Sequence, residues 1–170
     1  MYKYVTYFWM SAVVLFIQIF VLDNLSIAMW LRPMLFPVIV LLLPIEWRQI
    51  WLVLATFCIG FVMDFALGGS GLYIASLLPL SLIRAWLIFF TTHRSLEDGN
   101  KALLSSLNQR QLMLYVGLAL LLHHTLFFLL EALSFAHPLH LAMTIICSWA
   151  LSFILSWLVV RIFTTKIVVR

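Results

Sequence analysis

The sequence predicts an all-α protein that crosses a membrane about six times. Of its 170 residues, 65% are hydrophobic and only 9% are charged, which is more apolar side chain than a water-soluble domain of this size can bury. The apolar residues fall into six runs of about the length that a helix needs to cross a hydrocarbon core of ~30 Å. Within one domain, residues 1–170, we place segments one to six at residues 4–22, 27–45, 51–67, 72–90, 112–133 and 141–163.

Segment one carries a hint of a secretory signal. Lys3 precedes the apolar run, and Ser26-Ile27-Ala28 resembles a signal-peptidase site. The run is longer than the roughly 7–15 apolar residues of a signal peptide. We therefore expect an uncleaved membrane helix.

Segment two is interrupted by polar and cyclic residues, namely Arg32, Pro33, Pro37 and Pro44. Proline is tolerated in a membrane helix when neighbouring groups bond the carbonyls that it frees. The length of the run favours a crossing helix, with Arg32 extending to one surface. The alternative is a re-entrant segment that does not cross.

The distribution of basic residues predicts the orientation. With six crossings and the N-terminus inside, eight of the ten Lys and Arg residues lie on the cytoplasmic side, only Arg32 lies outside, and Arg84 lies within the membrane. A five-crossing arrangement with the N-terminus outside agrees equally well with the charge rule. Both arrangements place the turn at residues 68–71 outside and the loop at residues 93–111 inside. The eight cytoplasmic residues are Lys3, Arg48, Arg94, Lys101, Arg110, Arg161, Lys166 and Arg170.

Segments three and four form a hairpin with two charged residues. A turn of Gly and Ser only, residues 68–71, joins them. Gly60, Gly68 and Gly71 suit close backbone approach or positive φ. Asp64 precedes the turn by one helical turn, and Arg84 lies about 18 Å down the returning helix, so the two are not level. In one interpretation Asp64 caps the turn and Arg84 extends to the inner boundary, and in the other these charges bind a partner or serve the function.

Segments five and six contain the remaining polar positions. His124 and Glu131 are seven residues apart and therefore share a helix face. A hydrogen-bonded interior histidine is favoured over a metal ligand or proton carrier. Segment six has small polar residues at every fourth position, a spacing that lets helices approach closely in lipid. These residues are Thr144, Ser148, Ser152 and Ser156.

No catalytic pattern accompanies these residues. The sequence has no glycine-rich phosphate loop, no Cys and His pair at metal-binding spacing, and no aspartate pair of the kind that lipid transferases use. Nucleic acid is not an expected partner, because the basic residues lie in short connections and at the tail. We therefore expect neither an enzyme, nor a cofactor, nor a metal.

One ordered set of motifs resembles a known family. Leu41-Leu42-Leu43-Pro44-Ile45-Glu46 is followed by Gly60-Phe61-Val62-Met63-Asp64, then by Gly71-Leu72 and by Ile83-Arg84. In order and spacing these resemble the rod shape-determining protein MreD family, whose members are short and have about six membrane helices. The motif resemblance covers about residues 30–90.

The resemblance implies a non-enzymatic component of the bacterial cell-elongation machinery in the cytoplasmic membrane. Such a protein binds the single-pass protein MreC. Through MreC it influences the elongation transpeptidase and RodA, while the MreB filament lies on the cytoplasmic side. The family is also similar in fold to the substrate-binding subunits of energy-coupling-factor vitamin transporters. A transporter subunit is therefore the alternative function, and it would need an outward cavity with several convergent polar groups.

Overall fold

The computed structural model describes residues 2–24, 31–44, 47–92, 107–133 and 137–168, with side chains from residue 5 to residue 163 of these ranges. The described chain is helical, with no strand in these ranges, which confirms the predicted all-α class. The helices are α1 (Tyr2–Ile17), extended by a π-helical turn (Gln18–Leu22), α2 (Pro37–Leu42), α3 (Gln49–Leu67), α4 (Leu72–Thr92), α5 (Gln109–Ala132) and α6 (Pro138–Val168).

Within the described residues, five helices are long and apolar enough to cross a membrane, namely α1 with its π-helical turn, α3, α4, α5 and α6. The prediction of a sixth membrane-length helix at residues 27–45 is wrong. Among the described residues of that segment, 31–44, only the six of α2 are helical, and residues 32–35 have no regular structure. The five other predicted segments agree with the observed helices to within a few residues, apart from the C-terminal end of α6, which continues to Val168.

The prolines explain why segment two is broken. A residue that precedes proline disfavours the helical conformation. Leu43, which precedes Pro44, accordingly leaves the helix with φ −55° and ψ 151°. Pro37 instead occupies the first position of α2, where its missing N–H and its fixed φ are compatible with a helix.

Segment two nevertheless lies at the centre of the bundle. Every described residue from position 33 to position 43 is buried, and Phe36, Val38, Ile39, Val40 and Leu41 have 0% exposure. Arg32 contacts the last turns of α5 through Glu131, whereas Leu41 contacts Tyr115, near the first turn of α5. Segment two therefore runs along most of the length of α5, parallel to α6.

Gly60 sets the distance between α3 and α4. A Cβ atom on Gly60 would lie 2.9 Å from the Cα atom of Ile74, closer than side chains approach a backbone. The two helices therefore cross at this glycine with almost no side chain between them. They are joined by the turn that begins where Gly68 ends α3 with φ 68°.

The outer faces of the bundle are apolar. Phe65 on α3 is 86% exposed, and α1, α4 and α6 also present large exposed hydrophobic side chains. Of the five long helices α5 is the most buried and α1 the least. This arrangement, with apolar side chains both inside and outside, is the one that a lipid environment favours.

Candidate functional site

Asp64 caps the start of α4. Its Oδ1 atom accepts the backbone N–H groups of Gly71 at 3.0 Å and Tyr73 at 3.1 Å, and its Oδ2 atom accepts that of Ile74 at 2.9 Å. The first N–H groups of a helix have no partner within the helix, and the positive end of its dipole favours a carboxylate. Of the two roles considered for Asp64, this geometry fits the cap.

The turn before α4 requires unusual backbone conformations. Gly68 has φ 68°, Ser70 has φ 50° and Gly71 has φ 93°. Residues other than glycine rarely adopt positive φ angles. Gly68 and Gly71 therefore let the chain reverse direction within four residues. The reversal brings the first N–H groups of α4 onto the Asp64 carboxylate.

Arg84 does not extend to the membrane boundary, and that expectation is wrong. Its side chain is only 3% exposed. The guanidinium donates from Nη2 to the carbonyl oxygen of Leu43, just past the end of α2, and from Nε to the Tyr115 hydroxyl at 3.3 Å. The carbonyls at a helix C-terminus carry partial negative charge, so they stabilise a buried cation. In the described part of the chain no carboxylate forms a salt bridge with Arg84.

The backbone of segment two is bonded by side chains of α6 on one edge. The N–H of Arg32 donates to Ser148 Oγ at 3.2 Å, and the N–H of Met34 donates to Ser152 Oγ at 2.8 Å. Non-helical backbone at membrane depth is stable only when such groups are bonded inside the protein. At least these two of the small polar residues on α6 therefore face this chain's own backbone.

Gln18 bonds the other edge of segment two. Its Nε2 atom donates to the carbonyl oxygen of Pro33 at 3.1 Å, and its Oε1 atom accepts the N–H of Leu35 at 2.6 Å. Gln18 is 3% exposed and begins the π-helical turn of α1. With the two serines, it accounts for every backbone N–H from residue 32 to residue 35, because Pro33 has none.

His124 is fully hydrogen-bonded. Its Nδ1 atom lies 2.8 Å from the carbonyl oxygen of Leu120, which makes Nδ1 the protonated nitrogen. Its Nε2 atom then accepts the Ser152 hydroxyl at 2.9 Å. Ser152 thus links His124 to the N–H of Met34, so this histidine supports segment two.

His123 is only half satisfied. Its Nε2 atom lies 3.3 Å from the Ser76 hydroxyl oxygen. Because the Ser76 hydroxyl donates to the carbonyl oxygen of Tyr73, Nε2 is the nitrogen that donates to Ser76. Nδ1 then presents a lone pair that has no partner among the described residues. The ring packs edge-on against Phe36 at a centroid distance of 5.2 Å.

Glu131 and Arg32 form a salt bridge, with 2.5 Å between Oε1 and Nη1. The two side chains are 35% and 52% exposed, so the pair lies at the rim of the bundle. An exposed ion pair contributes about 0–1 kcal/mol in water. Its structural consequence is to hold Arg32, near the first described residue of segment two, at the end of α5.

The structure therefore separates the predicted residues into two groups. Gly60, Asp64, Gly68 and Gly71 build the α3–α4 hairpin, whereas Arg84, His124 and Glu131 hold segment two. The sequence reasoning missed Gln18 and Tyr115. A glutamine inside an apolar helix was a usable signal for the first, because a buried amide requires both a donor and an acceptor.

A hollow of about 560 Å³ opens at the start of α6, lined by His137, Pro138, Leu139 and His140. These lining residues are consecutive and come from one element. In the described ranges no group of three or more His, Cys, Asp and Glu residues is placed to hold a metal ion. Comparison with protein-family models, with curated proteins and with solved structures found no match to this chain.

Proposed function

We propose that this chain is a non-enzymatic component of the bacterial cell-elongation machinery, similar to MreD, in the cytoplasmic membrane. In this role it binds MreC, and through it influences the elongation transpeptidase and RodA. MreB lies on the cytoplasmic side.

One observation carries the proposal. The motifs that carry the resemblance contact one another in the folded chain, although they are spread over more than forty residues of sequence. Asp64 bonds the N–H of Gly71, and Arg84 bonds the carbonyl of Leu43. These contacts supply a physical reason for the order and spacing of the motifs. Of the motif residues, Ile45 and Glu46 lie outside the described residues.

The charged side chains of Asp64, Glu131 and Arg84 are already hydrogen-bonded or ion-paired within the protein, which supports a structural, non-catalytic role. Asp64 is occupied by three N–H groups, Glu131 by Arg32, and Arg84 by a carbonyl and a hydroxyl. An acid or base that serves a reaction has to be open to a substrate. Here each of these side chains holds an element of the protein in place.

The transporter alternative has less support. A vitamin site combines an apolar cavity with several polar groups that converge from different elements. The centre of the bundle is filled by segment two, and the hollow at the start of α6 is lined by four consecutive residues. We therefore keep this function only as an outcome that the experiment can reveal.

Affinity purification in a mild detergent tests the proposal. The tagged chain is expressed in a rod-shaped bacterium whose own MreD is depleted, and co-purifying proteins are identified by mass spectrometry. We expect MreC to co-purify and rod shape to be retained. A tagged, unrelated multi-pass protein is the control for adventitious recovery. Recovery of transporter ATPase subunits in place of MreC, or loss of rod shape, would overturn the proposal.

A further inference from the structure

A row of four hydroxyl groups lies along α6, and the described backbone of segment two bonds only two of them. We call Thr144, Ser148, Ser152 and Ser156 the hydroxyl ladder. All four are buried. Ser148 and Ser152 accept the N–H groups of Arg32 and Met34, whereas the hydroxyls of Thr144 and Ser156 have no partner among the described residues. A buried polar group without a partner is destabilising. A backbone N–H that was moved next to Thr144 or Ser156 would therefore gain a hydrogen bond there.

The spacing of the ladder does not select one alignment of segment two. Two residues of extended chain advance about 6.6 Å, and four residues of α-helix advance about 6.0 Å. A shift of segment two by two residues would therefore restore the same pattern of bonds, with Phe36 (φ −58°, ψ −28°) becoming extended when the shift is toward Thr144. A shift toward Thr144 would place the N–H of Met34 on Ser148, and a shift toward Ser156 would place it on Ser156.

Gln18 distinguishes the observed register of segment two from the shifted registers, whereas the hydroxyl ladder does not. Its amide needs a carbonyl and, two residues later, an N–H, which Pro33 and Leu35 supply. After a two-residue shift toward Thr144, the required N–H would belong to Pro37. After a shift toward Ser156 it would belong to Pro33. Proline has no N–H, so either shift leaves the Gln18 oxygen buried and unbonded.

We propose that Gln18, together with Pro33 and Pro37, locks the register of segment two against the hydroxyl ladder. The lock determines which carbonyls meet Tyr115 and Arg84 at the other end of the segment, namely those of Leu41 and Leu43. Displacement by one step of the ladder, about 6 Å, is the movement that the lock prevents. This inference is independent of the proposed function.

Disulfide cross-linking between segment two and α6 tests the lock. In a chain whose Cys58 and Cys147 are replaced by alanine, Met34→Cys is combined in turn with Ser148→Cys, Ser152→Cys or Ser156→Cys. The 34–152 pair reports the observed register, 34–148 a shift toward Thr144, and 34–156 a shift toward Ser156. Each pair is oxidised in membranes, and its yield is measured by mass spectrometry.

With Gln18 and both prolines present, we expect only the 34–152 pair to form. Pro37→Ala supplies the N–H that the shift toward Thr144 lacks, so the 34–148 pair should appear. Pro33→Ala should instead yield the 34–156 pair. Gln18→Leu should permit both shifts. The bond at stake is the one to the Gln18 oxygen, and leaving that oxygen buried without a donor corresponds to roughly a 5- to 150-fold change in the ratio of shifted to observed register.

Pro44→Ala is the matched control, since position 44 lies beyond the residues that face Gln18, and it should yield the 34–152 pair alone. The proline variants keep Gln18. They therefore test the lock even if the Gln18→Leu protein fails to fold and is not recovered from the membrane. Exclusive formation of the 34–152 pair in both Pro33→Ala and Pro37→Ala would overturn the lock. Shifted pairs that appear equally in Pro44→Ala would do the same.

Discussion

At the scale of single residues, three buried or half-buried polar side chains in the described part of the protein hydrogen-bond backbone groups. Asp64 binds three N–H groups, Arg84 binds a carbonyl, and Gln18 binds one group of each kind. Charge in a membrane segment costs about 2.5–3.5 kcal/mol on insertion scales. Here that cost is offset by satisfying backbone groups that a turn, a helix end or an extended segment would otherwise leave unbonded.

The cap predicts a graded response to substitution at Asp64. Asp64→Ala removes all three acceptor contacts and should lower the free energy of unfolding by about 1–3 kcal/mol. Asp64→Asn keeps one oxygen but turns an NH₂ group toward one of the N–H donors, so its effect should be smaller. Stability is measured by denaturant titration of the purified protein in detergent.

Asp23→Asn is the control for this comparison, because Asp23 is an exposed carboxylate at the end of α1. It should leave stability unchanged. If Asp64→Asn were as stable as the wild type yet failed to recover MreC, Asp64 would serve the partner and not the turn.

At the scale of elements, the contact between α3 and α4 depends on the absence of a side chain at Gly60. Gly60→Ala places its Cβ atom 2.9 Å from a backbone atom of Ile74, so the helices must separate. Separation of packed helices weakens many van der Waals contacts at once, and we expect a loss of about 1–3 kcal/mol in stability.

Gly117→Ala on α5 is the matched control. The nearest atom to its Cβ would be a side-chain atom of Phe153 at 3.5 Å, which is an ordinary contact. The two variants are compared by thermal unfolding in detergent. Equal stability of both would show that the hairpin adjusts to a methyl group and that Gly60 is not required for its packing.

At the scale of the whole molecule, three of the basic residues predicted to be cytoplasmic lie at one end of the bundle, and the orientation itself stays a prediction. Arg48 and Arg110 are exposed at the starts of α3 and α5, and Arg161 is exposed in the second half of α6. All three lie toward the end of the bundle opposite the glycine turn. The remaining predicted cytoplasmic residues, Lys3, Arg94, Lys101, Lys166 and Arg170, have side chains outside the described part.

Cysteine labelling in intact cells tests this orientation. In a chain without its own cysteines, Ser70→Cys should react with a membrane-impermeant maleimide, because the turn at residue 70 is expected outside. Lys101→Cys should react only after the membrane is permeabilised. The reverse pattern would invert the topology and would place the hairpin cap on the cytoplasmic side.

The fold class, the positions of five membrane-length helices and the glycine turn could all be predicted from the amino-acid sequence. Each of these depends on local properties: apolar run length, or residues that permit positive φ. Segment two also had the length of a crossing helix, and its prolines indicated a break. Whether the broken backbone could be stable at that depth depended on side chains far away in sequence. A run of residues does not show which side chains will bond a broken backbone.

The contacts that hold segment two in place could not be predicted before the helices were assembled. Ser148, Ser152 and Gln18 bond its two edges from helices that are distant in the chain. Arg84 turned inward because the carbonyl of Leu43 lies within its reach, whereas the sequence indicated only an apolar helix with a nearby boundary. Backbone satisfaction in lipid is a condition on the whole bundle, so it becomes visible once the elements are assembled.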